Sequence, residues 1–277
     1  VNFRRFFRFN HHGAMSNLLQ TVNWRVTESA SILAFEKTGD ASWPAWDRFL
    51  TVDGKRAYHL GNICGTCRFF FERLDGANMA VDVASLTGRL AAGVTALDNE
   101  LVEALGLLMP VSEYRVALLR LWPDAVSLGS RSDYFAAEQV ENEGISSFWG
   151  LPHYPKVPYY RPKERWKIDV GEGGARLFDF VVPMFPETWL KNDRINAYVT
   201  ALAAGGEPTA LSLSVLDVKE PAEGGVAHWC MAHYIVDGHH KVAAAARARK
   251  PITLIAFIAL DHGISSETEV ETALRTY

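Results

Sequence analysis

The chain has 277 residues, 48% of them hydrophobic, with a net charge of −4 and a sequence pI near 6.2. That length and composition support a buried core in one large or two modest globular domains, and acidic and basic residues are mixed rather than gathered into the stripe a nucleic-acid binder displays. No apolar run approaches the roughly 18 residues of a membrane span, and three cysteines are too few for a disulfide framework, so a reducing, cytoplasmic setting is expected.

The first residues, Phe3, Arg4, Arg5, Phe6, Phe7, Arg8 and Phe9, form a basic aromatic stretch. It reads either as a surface or targeting helix or, with His11-His12-Gly13-Ala14-Met15 behind it, as an expression-vector scar; residues 1–15 are assigned to a tag remnant or disordered tail. Residues 16–143 are expected to form a mixed subdomain. Strands are expected at 22–26 and 32–36, and 49–52 and 56–60 form a hairpin through Asp53-Gly54, a pair that supplies the positive φ angles of a type I′ turn.

The second hairpin strand runs into Cys64-Gly65-Thr66-Cys67, and Phe69 to Phe71 are expected to continue as a strand. Strand, CxxC, strand is the shape of a zinc knuckle, because two thiolates two residues apart can share one tetrahedral ion. The remaining ligands must come from elsewhere. Cys230 is the third cysteine and His228 lies two residues before it, on the same face of a strand, which gives a Cys64, Cys67, Cys230 and His228 zinc site; His59, His233 and His153 are substitutes for the fourth ligand. A redox dithiol or a metal-free thiol pair are the alternatives.

From 83 to 109, Leu86, Leu90, Val94, Leu97, Leu101, Leu105 and Leu108 recur every three or four residues, predicting one long amphipathic helix that packs on the core or on a second subunit of a homo-oligomer. Residues 111–122 suit a helix or a buried strand equally, and Ser132-Asp133 can cap a short helix through Val140. Residues 144–182 form a proline-aromatic connector, whose rings can line a nucleobase or substrate pocket or simply pack over two subdomains. Gly171 to Gly174 is expected to be a hairpin turn, followed by a strand at 177–182.

A helix is expected from Asp193-Arg194-Ile195 to Gly205-Gly206, then a half-buried strand at 211–215. The stretch from His228 to Leu260 reads as strand, turn, helix, strand, with Asp237-Gly238-His239-His240-Lys241 at the turn and five alanines propagating the helix. First-turn N–H groups lack intrahelical partners and the macrodipole is positive there, so an anion is a natural guest. A polar helix cap with solvated histidines is the plainer alternative. Ser266 and Glu269 form a capping box for a last helix.

Residues 183–260, with this turn placed in the order helix, strand, strand, turn, helix, strand, resemble the ParB/sulfiredoxin superfamily of nucleotide-binding domains. The resemblance implies an α+β fold with a ParB/sulfiredoxin-like domain over 183–277. It implies that Gly238, His239, His240 and Lys241 cradle the phosphates of ATP, ADP or CTP with magnesium, and that Asp237, His239, His240 and Lys241 serve transfer or hydrolysis of a phosphate on a small-molecule substrate. Asp237, Asp217, Glu220 and Asp193 are the carboxylates for a base or metal ligand. His239 stands where sulfiredoxins carry the reactive cysteine, which argues against sulfinic acid reduction, and only 17 residues follow Leu260, which argues against partition-type DNA clamping. A non-catalytic regulatory or nucleic-acid-binding protein and a phosphodiesterase or nuclease are the rival readings.

Overall fold

The structure, a computed structural model, describes residues 17–38, 47–62, 69–78, 80–138, 157–162, 166–168, 174–220 and 226–277. The chain begins with β1 (Leu18–Val26), β2 (Leu33–Thr38), β3 (Asp47–Val52), β4 (Lys55–Asn62) and the two-residue β5 (Glu72–Arg73). Helices α1 (Thr87–Ala92) and α2 (Asn99–Gly106) follow, then β6 (Ser112–Leu121), β7 (Pro123–Ala125), β8 (Tyr160–Pro162), β9 (Trp166–Ile168) and β10 (Ala175–Pro183). The last part runs α3 (Asn192–Ala203), β11 (Thr209–Lys219), β12 (Ala227–Asp237), α4 (His239–Ala248), β13 (Ile252–Ala259) and α5 (Glu267–Leu274). The architecture is mixed α and β, as expected in broad terms.

A nine-stranded sheet is ordered β1-β6-β13-β11-β12-β10-β8-β7, with β9 also paired to β10, and a second sheet is ordered β2-β3-β4-β5. In the large sheet β10 runs parallel to β12 and β11 parallel to β13, while β11 and β12 are antiparallel. Strand β6 is where the 111–122 run resolves. Tyr114, Val116 and Leu118 enter one core while Ala117, Leu119 and Leu121 enter the other, and burial on both faces explains why the run lacks the alternation that would have identified it. Because β1 and β6 join β13, the sheet crosses the expected subdomain boundary near residue 183.

The two faces carry different layers. The face of Leu213, Val215, Ala232 and Phe257 packs against the small sheet, α1, α2 and a cluster of rings, whereas the face of Leu216, Met231 and Ile258 packs against α3, α4 and α5. The 53–54 hairpin forms as predicted, with Asp53 and Gly54 at φ of 49° and 70° and Val52 opposite Lys55. Phe69, Phe70 and Phe71 are all buried and precede β5 rather than forming a strand; Phe69 and Phe71 pack with Phe135 and Phe180, while Phe70 meets His59 edge-on.

The long helix expected over 83–109 is broken, which corrects that reading. Gly93 ends α1 at φ 103°, the Val94 N–H donates to Thr209 Oγ1 at 2.8 Å, and Asp98 starts α2 by accepting the Leu101 N–H at 2.8 Å. The apolar stripe survives the break, because Leu90, Val94, Leu97, Leu101 and Leu105 all enter the core of this chain. The seam proposed for a homo-oligomer is therefore used internally. Among the described residues no helix is long and apolar enough to cross a membrane.

Candidate functional site

The site is built at the carboxyl ends of β10 and β12, which run parallel, the end of an α/β sheet where ligands ordinarily bind. Strand β12 leaves the sheet at Asp237 and turns into α4 through Gly238, the N-cap, at φ 104°. A Cβ on Gly238 would stand 2.7 Å from the Ala210 Cβ on β11, so both conformation and contact require glycine. No side chain caps α4. The amides of His239, His240 and Lys241 lie in its first turn, where the helix itself offers no acceptor.

The side chains of the turn are engaged with the protein. Lys241 is 3% exposed and donates from Nζ to Asp237 Oδ2 at 2.7 Å and to the Thr209 carbonyl at 2.9 Å. Burial lowers its pKa and the Asp237 carboxylate opposes that effect. His239 Nε2 accepts the Met184 N–H at 2.9 Å, and its ring stacks on Phe185 with centroids 3.6 Å apart. Burial first, and His240 second, hold its pKa down at about 3, so the ring is neutral. His240 Nε2 accepts the Lys191 N–H at 3.0 Å, and burial, Arg194 and Lys191 lower its pKa. Accepting at Nε2 places the proton of each neutral ring on Nδ1.

Gly238, His239, His240 and Lys241 thus meet at one turn, each in a different role. Gly238 shapes the turn; His239 ties it to the end of β10; Lys241 and Asp237 pair beneath it. Free positive charge comes instead from Lys191 and Arg194 at the start of α3, both exposed and both acting on His240. Arg194 has no motif of its own in the sequence; its position one turn into a helix that packs on α4 was the available signal.

Of the four carboxylates, Asp237 alone is part of the turn, 22% exposed on its side chain. Asp217 is removed as a base or metal ligand: it sits toward the other end of β11, buried in a two-point pair with Arg48 at 2.9 and 2.7 Å, and also accepts the Ile264 N–H. Glu220 follows the same far end, and Asp193 is exposed in the first turn of α3.

A cleft opens against the turn. Its apolar part, about 80 Å³, is lined by His239, Val242, Phe185, Pro158 and Tyr159. Tyr160, Glu187 and Leu190 continue into a more polar groove of about 410 Å³ that also reaches Asn192 and Arg247. Connector residues 157–160 border this cleft.

For the expected zinc site, Cys64, Cys67 and His153 lie outside the described residues. His228 and Cys230 do share a face of β12 and meet at one group, the Tyr134 hydroxyl, at 2.9 Å from His228 Nδ1 and 3.5 Å from Cys230 Sγ. Burial pushes the Cys230 thiol up to about 12 and His228 down to about 3. His233 points to the opposite face and bonds Ser214 Oγ at 2.8 Å, which removes it as a substitute ligand, and His59 bonds Asp47 at 3.0 Å. Among the described residues no three His, Cys, Asp or Glu side chains converge as a metal site. Comparison with family models, curated proteins and solved structures gives no match to this chain.

Proposed function

We propose that the chain is a nucleotide-binding enzyme, ParB/sulfiredoxin-like over about residues 183–260, that holds the phosphates of ATP, ADP or CTP at the start of α4 and transfers or hydrolyses a phosphate on a small molecule. The observation that carries this reading is the convergence, at one end of the sheet, of an uncapped helix N-terminus entered through a left-handed glycine with the cations of Lys191 and Arg194. Anions are favoured at such an end, and the flanking cations compensate phosphate charge. The apolar cleft beside His239 favours a small molecule over a nucleic acid, which calls for a basic track.

In this reading the bonds of His239 to Met184 and of Lys241 to Thr209 hold the first-turn amides in place before a ligand arrives, the preorganisation on which electrostatic stabilisation depends. Arg194 and Lys191 offset charge on the transferred group. Asp237, paired with Lys241 at 2.7 Å, is the carboxylate beside the turn to accept a proton from the attacking hydroxyl or water. Asp237 would also hold magnesium, which would supply neutralisation of phosphate charge. Calorimetric titration with ATP, ADP, CTP and GTP in magnesium tests the proposal, beside Arg194→Glu. Binding of at least one nucleotide, weakened about tenfold or more by the reversal, is expected; no binding, or binding indifferent to Arg194, contradicts it.

We also propose a structural zinc ion held by Cys64, Cys67, Cys230 and His228. The supporting observation is that His228 and Cys230 converge on Tyr134, against whose ring Phe69, two residues after Cys67, packs with centroids 6.1 Å apart. Metal analysis of the purified protein is expected to find one zinc per chain, lost in Cys230→Ser; a metal-free, folded native protein overturns the assignment.

A further inference from the structure

The cleft has an organisation that the phosphate site does not explain. Its narrow apolar part, against His239 and Val242, has a volume suited to a short branched hydrocarbon rather than to a large ring system. Its polar part places a cation and an anion on the same groove. Arg247, on α4, is held by Asn196 Oδ1 at 3.0 Å and Asn192 Oδ1 at 3.3 Å. Neutral amides fix the guanidinium without cancelling its charge. Glu187 stands in the turn of residues 187–189 at the junction of the two parts, and Tyr160 borders both. Among the described residues neither Glu187 nor Arg247 forms an ion pair, with each other or with a third group.

We propose that this cleft is a binding subsite for a small amphipathic zwitterion, with a short branched apolar body beside His239, its ammonium toward Glu187 and its carboxylate toward Arg247. Charge complementarity decides among occupants. A simple hydrocarbon leaves both charges unused, an acid faces Glu187 uncompensated, and an amine faces Arg247 uncompensated; a zwitterion answers both. Tyr160 supports the placement: burial raises its phenol to about 12, Glu187 raises it further and Arg247 opposes, so the hydroxyl lies in the field of both charges. The ligand's role as phosphate acceptor rests on the function proposed above, but its binding does not.

The test uses the full chain without nucleotide and four probes: leucine, which has both charges and the branched body; 4-methylpentanoate, without the amine; 3-methylbutylamine, without the carboxylate; and glycine, without the body. Saturation-transfer NMR and calorimetry are expected to rank leucine about tenfold or more above each of the other three. Arg247→Gln is expected to weaken leucine and the acid but not the amine, and Glu187→Gln to weaken leucine and the amine but not the acid. Both residues are exposed, so circular dichroism is expected to leave both variants folded. Failure of leucine to bind, equal binding of all four probes, or an equal loss of every probe in both variants overturns the proposal. Because nucleotide is absent, such a failure is distinct from failure of the phosphate site.

Discussion

Asp179 on β10 is buried on the helical face of the sheet, where its Oδ1 accepts the Tyr277 hydroxyl and its Oδ2 has no hydrogen-bond partner among the described residues. Burial raises its pKa to about 7, with the Tyr277 bond and Arg161 opposing. A folded pKa above the unfolded value of about 3.9 means the protonated form is the one the fold prefers, so this residue's contribution is full below pH 4 and is lost as the pH rises through 7. Asp179→Asn keeps the Oδ1 acceptor and removes the charge. Thermal or denaturant unfolding is expected to find it more stable than the parent at pH 8, by on the order of 4 kcal/mol, and little different at pH 4. Equal destabilisation at both pH values contradicts the account. His233 and His239 act in the opposite sense. Their folded pKa values of about 3 lie below the unfolded 6.5, so their contribution is full above 6.5 and lost as the pH falls toward 3. Two such groups outweigh one Asp179, and acid unfolding is expected between those two limits.

The break between α1 and α2 decides how far periodicity alone can be trusted. An unbroken three-four repeat identified the right buried residues because the sheet selects apolar positions whether or not the backbone between them is helical. It did not reveal the break, because the cause is a contact 115 residues away, the Val94 N–H on Thr209 Oγ1. Gly93 carries the break: at φ 103°, a Cβ there would stand 2.5 Å from the Glu207 carbonyl oxygen. Gly93→Ala, a substitution that favours an isolated helix, is expected to lower stability by 2 kcal/mol or more, on the order of the cost of strain plus a backbone clash; a gain in both helicity and stability would restore the single-helix reading. Elements with local signals were legible. The Asp53-Gly54 hairpin, the Ser266–Glu269 capping box and the order α3, β11, β12, turn, α4, β13 all follow from adjacent residues. In the site, the sequence marked Gly238 to Lys241 but not their partners Met184, Phe185, Thr209 and Lys191, which reach the turn only through tertiary packing.

Across the molecule, the two sheets are joined by a charged link as well as by apolar packing. Arg48 on β3 reaches Asp217 on β11 and also donates to the carbonyls of Leu60 and His262, while the Tyr58 hydroxyl donates to the Pro183 carbonyl at the end of β10. Removing one member of a buried pair strands the other charge. Arg48→Met is therefore expected to cost about 3–5 kcal/mol of unfolding free energy, and adding Asp217→Asn, which keeps the acceptor for the Ile264 N–H, to recover much of it; equal losses in the single and double variants would show that the charge is not the source. The Arg48–Asp217 pair anchors the end of the sheet away from the turn, and the Tyr58 bond ties the small sheet to the carboxyl end of β10.

The central claim is that nucleotide phosphates bind the backbone at the start of α4, and amide NMR of the labelled chain titrated in turn with ATP, ADP and CTP in magnesium tests it most directly. The account predicts saturable shifts that are largest at the amides of Gly238, His239, His240 and Lys241, with smaller ones at Lys191 and Arg194. Saturable shifts centred elsewhere, or no shift at these amides at millimolar nucleotide, contradict it.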